Sequence, residues 1–566
     1  YLVAQMVTAY VQGLQGSQPE EGIYATLKHY AGHGAPEGGR NHAPVNLSER
    51  ELRENHLFPF EAGIRKGKAG AVMNAYHDID GIPCASSKKL LTDILRGEWD
   101  FEGVVVSDYF SINMLYTDHK VAETKQIAGV KALEAGLDIE LPETYCYGEE
   151  MVEAVQNGLI SEAVVDEAVR RHLRAKFRKG IFENRYVDVD KVNEVFETEA
   201  QRDLARKAAC KSMVLLKNED DLLPLDKEID SLAVIGPSAD STRNLLGDYA
   251  YSAHVESKDN PIHIVSLLEG IKNKVGDNTE INYAKGCGIM DLSQDGFEEA
   301  VAAAEKSDIA IVAVGGRSGL SGLGEEEEDR DDSVDFSEVS FSTEMVDTTD
   351  TTGEHHDRSD LKLPGVQREL LEAIKETGTP VIAVLVNGRP LAVEWTAANI
   401  PAILEAWLPG EEGGNAIADV LFGDYNPGAK LPVSVPRNAG QTPINYNRKN
   451  ISHNRDYVFS NNRPLFPFGY GLSYTEFEYS NLEVTPEKIP AASSIKVKVD
   501  LENTGDRFGE EIIQLYINDK IASRTRPVKE LKGFKKLSLK PGEKKTVTFT
   551  LFTDQLAFYD KDMNLI

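Results

Sequence analysis

The end of this chain has one hydrophobic period and the rest has another, and that contrast limits the folds open to it. In SIKVKVDLEN, Ile495, Val497, Val499 and Leu501 alternate with Lys496, Lys498 and Asp500. EEIIQLYIND and KKTVTFTLF repeat the alternation, with Pro541-Gly542-Glu543 as a turn. Period-two patterning between turn residues predicts an antiparallel β-sandwich, immunoglobulin-like or fibronectin-like. Earlier, short apolar runs alternate with helical segments, which predicts a parallel sheet, open or closed into a barrel. Residues 1–185 supply candidate strands at 24–30 (YATLKHY), 69–76 (AGAVMNAY), 103–107 (GVVVS) and 137–141 (LDIEL). A polar, helical bridge follows. SLAVIGP, DIAIVAVGG and TPVIAVLVNGRP then predict an open α/β sheet that ends near Pro436. Between the last two runs, Pro364 sits near the start of a helix, Val366, Leu370, Leu371 and Ile374 form its apolar face, and Gly378 ends it.

A chain of 566 residues is too long for one core, and two to four domains are expected. The expected boundaries are 1–185 for the barrel part, 186–210 for a linker, 211–440 for the α/β domain, 441–470 for a connection and 471–566 for the sandwich. The net charge of −31 argues against nucleic acid and anionic membranes as partners. Cys84, Cys146, Cys210 and Cys287 form no CxxC pair and suit buried thiols. No apolar run approaches the length of a transmembrane helix, and no signal peptide is visible. The chain opens as YLVAQMVTAYVQGLQG, already in a helical pattern and without an initiating Met, so its cellular location, cytoplasmic or secreted, is left open.

In parallel α/β sheets chemistry sits at the carboxyl ends of strands. Three candidate strands end in polar residues there: Lys28-His29, Asn74-Ala75-Tyr76 and Ser107-Asp108. Asp108 fits a catalytic carboxylate, and equally a strand-end cap of the next helix. Residues 317–352, beginning RSGLSGLGEEEEDRDD, are acidic and aperiodic, as in a long functional or disordered loop. Its glycines are followed by no GK[ST], so it does not read as a phosphate-binding loop. His355-His356 is adjacent rather than i, i+4, which argues against zinc.

KHYAGHGAPEGGRN, MNAYHDIDGIP, GVVVSDYFS, GEHHDRSDLKLPGVQ, PGEEGG and PLFPFGYGLSYTEF, in this order, resemble glycoside hydrolase family 3. The resemblance implies a partial TIM-type β/α barrel, an α/β sandwich domain and a C-terminal fibronectin type III-like β-sandwich. It implies a retaining exo-glycosidase in which Asp108 is the nucleophile. A retaining mechanism pairs that carboxylate with an acid roughly 5–5.5 Å away. The family pattern G-E-x-x-D-R selects Glu354 as acid/base; spacing alone does not separate it from Glu325–Glu328 and Glu344. For that role the Glu354 pKa should be raised, by burial or by the Asp108 charge. Lys28 and His29 are implied to bond sugar hydroxyls, Tyr76 to line the −1 subsite and Tyr109 to stack on a sugar ring. Arg40 and His42 either contact sugar or brace their loop. His33 lacks the Asp-x-His partner of the glucosaminidase branch and reads as structural.

The resemblance implies no cofactor and no metal, and an oligosaccharide or aryl or alkyl β-glycoside as substrate; a homodimer is left open. A β-glucosidase is expected. The alternatives are a β-xylosidase with arabinosidase side activity, or a non-catalytic carbohydrate-binding protein. The chain is also expected to be a fragment cut at both ends. Its four candidate barrel strands fall short of the eight that a closed barrel needs, and DMNLI stops inside the sandwich pattern. Family members carry a sugar-gripping Asp and Arg further upstream, so these residues alone should be poorly soluble and inactive.

Overall fold

A computed structural model describes residues 1–18, 21–254, 262–276, 278–319, 349–451, 455–490 and 492–566. The chain forms two compact units. The first holds Tyr1–Val189 together with Phe558–Ile566; the described residues of the second run from Asp190 to Ala557.

In the first unit β1 (Thr26–Tyr30), β2 (Ala71–Asn74) and β3 (Val104–Val106) form a parallel sheet in that order. Thr26 stands opposite Ala71, and Ala71 opposite Val104. The run expected at 137–141 contributes only a parallel bridge between Val106 and Ile139. The cause is Asp138, whose Oδ2 accepts the Val105 N–H at 2.8 Å in place of a ladder carbonyl. That carboxylate is fully buried and also receives Arg96 at 2.7 Å and Arg171 at 2.8 Å. Helices cover the sheet. In Lys125–Ala135 the Thr124 side chain accepts the Ile127 N–H at the start, and Gly136, at φ 107°, ends the helix in the left-handed conformation glycine adopts freely.

Residues 558–566, expected in the sandwich, group with this first unit. Arg50 donates to the carbonyls of Tyr559 and Asp560, and Glu54 accepts the Tyr559 N–H at 3.0 Å. Tyr559 and Leu565 then bridge antiparallel across a turn.

Early in the second unit the helix Glu199–Ser212 is started by a reciprocal capping box between Thr198 and Gln201. Its sheet contains β4 (Val214–Asn218), β5 (Ser231–Ile235), β6 (Glu280–Ala284), β7 (Ile309–Gly315), β8 (Val381–Val386) and β9 (Ala402–Trp407). The spatial order is β4-β9-β8-β7-β5-β6, with β4 antiparallel to β9 and the rest parallel. Every residue of Val381–Val386 is buried, because helices lie on both faces. Each fully buried Val or Leu there stabilises the fold by about 1.5–3 kcal/mol. Chain order reverses between β5 and β7, which opens a crevice at their carboxyl ends.

The expected sandwich is present in two sheets: β10 (Phe477–Thr485), β11 (Ser494–Asn503) and β14 (Lys544–Phe552) in one, β12 (Gly509–Ile517) and β13 (Glu530–Leu539) in the other. Val497, Leu501, Ile513, Leu539, Val547 and Phe549 fill the space between them. Among the described residues no helix is long and apolar enough to cross a membrane.

One core residue breaks the apolar pattern. Glu405, on β9, is 2% exposed and accepts from Asn387 Nδ2 at 3.0 Å and from the Trp407 N–H at 3.2 Å. Burial pushes its carboxyl from 4.5 up to about 8. Between those values the unfolded chain releases a proton that the fold retains, so this group makes stability fall as pH rises from about 4.5 to about 8. Glu405→Gln keeps the neutral shape without that penalty. It should stabilise the α/β domain by on the order of 3 kcal/mol at pH 7, with the gain vanishing near pH 4.5. Calorimetric melting of both proteins across this pH range measures it; an equal gain at every pH refutes the assignment.

Candidate active site

Why a buried strand ends in Ser107-Asp108 is answered by its neighbours. Ser107 donates its N–H to the Ile139 carbonyl at 2.8 Å, and its Oγ accepts the Leu141 N–H at 2.8 Å, so β3 is tied to the segment beside it. The Asp108 N–H donates to Asn74 Oδ1 at 3.2 Å, and the same oxygen accepts the Ser111 hydroxyl at 3.2 Å. Asn74 is fully buried and donates its own amide to the Ala75 carbonyl at 2.8 Å. One carboxylate oxygen of Asp108 accepts the Tyr109 N–H at 2.9 Å, and the other lies 3.3 Å from His29 Nε2. At 7% exposure, Asp108 is held from three sides at a strand end, the rigidity that near-attack geometry needs.

His29 therefore stands against the carboxylate, a place the sugar-hydroxyl reading did not foresee. It belongs to a row of imidazoles: its ring lies 4.6 Å from that of His33, which lies 5.8 Å from that of His77. Burial pushes the His29 pKa down to about 3, helped by the charges of His33, Lys28, His42 and His77. Burial holds His77 at about 4 although its Nε2 meets the Ala31 carbonyl at 3.0 Å. Burial thus disfavours the charged imidazole at His29, whose Nε2 faces the Asp108 carboxylate at 3.3 Å.

Tyr76 is buried, with its ring 4.1 Å from that of His42 and its carbonyl 2.8 Å from His119 Nε2. Arg40 is exposed, on a turn that also holds Gly38, Gly39 and His42 at positive φ. Lys28 is exposed, and Tyr109 is 43% exposed with its ring edge-on to Phe110.

In the second unit Glu354 lies in the connection between β7 and the next helix, beside the residues that follow β7 and β8. Ser318, just past β7, pairs with Thr352. The Glu354 N–H donates to Asp248 Oδ2 at 3.2 Å, and the Tyr249 hydroxyl donates to Glu354 Oε2 at 2.8 Å. Gly353, at φ 113°, packs so closely on the Gly319 carbonyl that a Cβ would sit 2.0 Å from it. The loop thus occupies the crevice where an open α/β sheet places its ligand chemistry. Glu325–Glu328 and Glu344 lie outside the described residues.

Comparison with known proteins gives this arrangement a family. Residues 1–175 match the glycosyl hydrolase family 3 N terminal domain and residues 213–474 its C-terminal domain; residues 511–566 match a fibronectin type III-like domain. A β-xylosidase of Formosa agariphila is 40% identical over 100% of this chain and 76% of its own length. The chain belongs to glycosyl hydrolase family 3. It is an exo-acting glycoside hydrolase with the barrel, α/β sandwich and fibronectin-like domains of that family. A periplasmic β-glucosidase of Salmonella typhimurium is 36% identical over 100% of this chain and 73% of its own. Among solved structures, a β-glucosidase from Listeria innocua in complex with isofagomine superposes with a TM-score of 0.88 at 33% identity, over 100% of this chain and 75% of its own. One from Erythrobacter marinus gives 0.87 at 37% identity, over 99% and 73%.

Sequence reasoning noted Asn74 at a strand end without assigning it a task, and passed over Asp248 and Tyr249. A polar residue closing a buried strand was the usable signal for Asn74. Tyr249 carried none, because it is 105 residues from the glutamate it touches.

Proposed function

We propose that this family 3 hydrolase is a retaining exo-β-glycosidase, most specifically a β-glucosidase releasing terminal glucosyl residues. The observation that carries the reading is Asp108 at the end of β3, its backbone N–H held by Asn74 and its carboxylate 3.3 Å from His29 Nε2. In the first step an Asp108 oxygen attacks the anomeric carbon, the glycosidic C–O bond breaks, and Glu354 gives its proton to the leaving oxygen. In the second step Glu354 takes a proton from water, and the water oxygen displaces Asp108 from the anomeric carbon. Charge build-up on the leaving oxygen is avoided by the first transfer. Tyr76 and Tyr109 offer ring surface for the sugar, and Lys28, Arg40 and His42 offer polar groups to its hydroxyls.

A second reading, β-xylosidase, is favoured by the 40% identity to the Formosa agariphila β-xylosidase. The two differ in whether the subsite admits a C6 hydroxymethyl group. Turnover of nitrophenyl β-glucoside and β-xyloside by the full-length protein separates them. Higher kcat/KM on glucoside is the expected result, higher kcat/KM on xyloside selects the second reading, and inertness on both overturns the glycosidase assignment of these residues.

A further inference from the structure

We propose that Arg389 is a positioning residue for the acid/base loop: its guanidinium grips both flanks of Glu354 and sets where that carboxyl stands. The inference rests on Glu354 being the acid/base. Arg389 Nε donates to Thr352 Oγ1 at 3.3 Å, and its Nη2 donates to the His356 carbonyl at 2.8 Å. The clamp therefore closes over residues 353–355 from one side, while Asp248 and Tyr249 hold Glu354 itself.

The grip has a firm base. Arg389 follows β8 directly, after Asn387 and Gly388. Asn387 is 1% exposed, donates its N–H to the Trp407 carbonyl at 3.1 Å, and is bonded through its side chain to buried Glu405. Gly388 lies so close that a Cβ there would be 3.1 Å from Thr352 Cγ2. The gripped loop needs holding: Gly353 and His355 both sit at positive φ, 113° and 63°, and such a non-glycine conformation persists only where its surroundings over-determine it. A planar fork can serve two acceptors in different directions at once; a lysine ammonium on a flexible stem holds such a geometry less well.

An acid displaced by about 1 Å costs on the order of 100-fold in rate, but only where the leaving group needs the proton. Arg389→Ala in the full-length protein should lower kcat/KM about 100-fold on alkyl glycosides and disaccharides, while kcat/KM on dinitrophenyl glycosides, which reports the glycosylation step alone, changes by less than about threefold. Arg389→Lys should recover part of the loss. In a Glu354→Ala background Arg389→Ala should cost nothing further, because the group it positions is gone. The same fold-loss on every leaving group, or a full additional loss in the double variant, overturns the proposal and makes Arg389 a structural brace. No loss in either Arg389 variant, with melting temperature unchanged, overturns it as well. If Glu354→Ala itself shows no leaving-group dependence, the acid assignment fails instead, and that single variant reveals it independently.

Discussion

Asp108→Ala should abolish hydrolysis of every glycoside, good leaving group or poor, by at least ~10⁴-fold, since no other atom in the first step makes the bond to the anomeric carbon. The fold should survive. The substitution removes an acceptor of the Tyr109 N–H and a neighbour of His29, yet leaves the Asp108 N–H on Asn74 and the Ser107 ties to Ile139 and Leu141 in place. Asp108→Asn, which retains the shape, controls for packing. A 2-deoxy-2-fluoroglycosyl probe should label the peptide containing Asp108, read by mass spectrometry after proteolysis. Its rivals in the first unit are already engaged. Asp138 is fully buried between two arginines. Glu140 accepts the N–H groups of Cys146 and Tyr147, and its pKa is raised by burial. A label on Glu140 or any other carboxylate refutes the nucleophile assignment.

Glu354→Ala should separate substrates by leaving group. Protonation of the leaving oxygen is worth 10²–10⁴-fold in typical general acid catalysis. A loss of about 10³-fold is therefore expected on disaccharides and less than about tenfold on dinitrophenyl glycosides for the glycosylation step. Azide, a nucleophile that needs no general base, should restore turnover of activated substrates and yield a glycosyl azide of β configuration. The Tyr249 hydroxyl, at 2.8 Å from Glu354, predicts a smaller defect of the same kind in Tyr249→Phe. If Glu327→Ala or Glu344→Ala shows the azide signature while Glu354→Ala does not, the family pattern has selected the wrong carboxylate.

The buried parallel strands were readable where nothing polar interrupts them. Val104–Val106 and Val381–Val386 announce themselves because a strand covered on both faces needs no polar residue. Ala402–Trp407 was not singled out, because Glu405 breaks its apolar run; only the protonated state that burial imposes makes that carboxyl tolerable in a core. Glu280–Ala284 was missed because an edge strand, half exposed, carries a weaker pattern. The sandwich was legible from β11, β12 and β14 alone, while residues 558–566 left it for the first unit through Arg50 and Glu54, contacts between residues some 500 positions apart.

By itself the sequence determined the succession of a parallel α/β part, an open α/β sheet and an antiparallel β-sandwich, since periods of two and of strand–helix alternation are local properties; the resemblance to the family made the first a barrel part and the last fibronectin-like. It also determined that Asp108 stands at a strand's carboxyl end, and the family motifs picked Glu354 from an acidic neighbourhood. Only the tertiary structure decided what holds those carboxylates. Asn74 reaches Asp108 from another strand, His29 turns to the carboxylate, and the adjacent Asp248 and Tyr249 converge with the distant Arg389 on one loop. Such contacts join residues far apart in sequence, and their geometry is set by the packing of the sheets beneath them rather than by any local pattern.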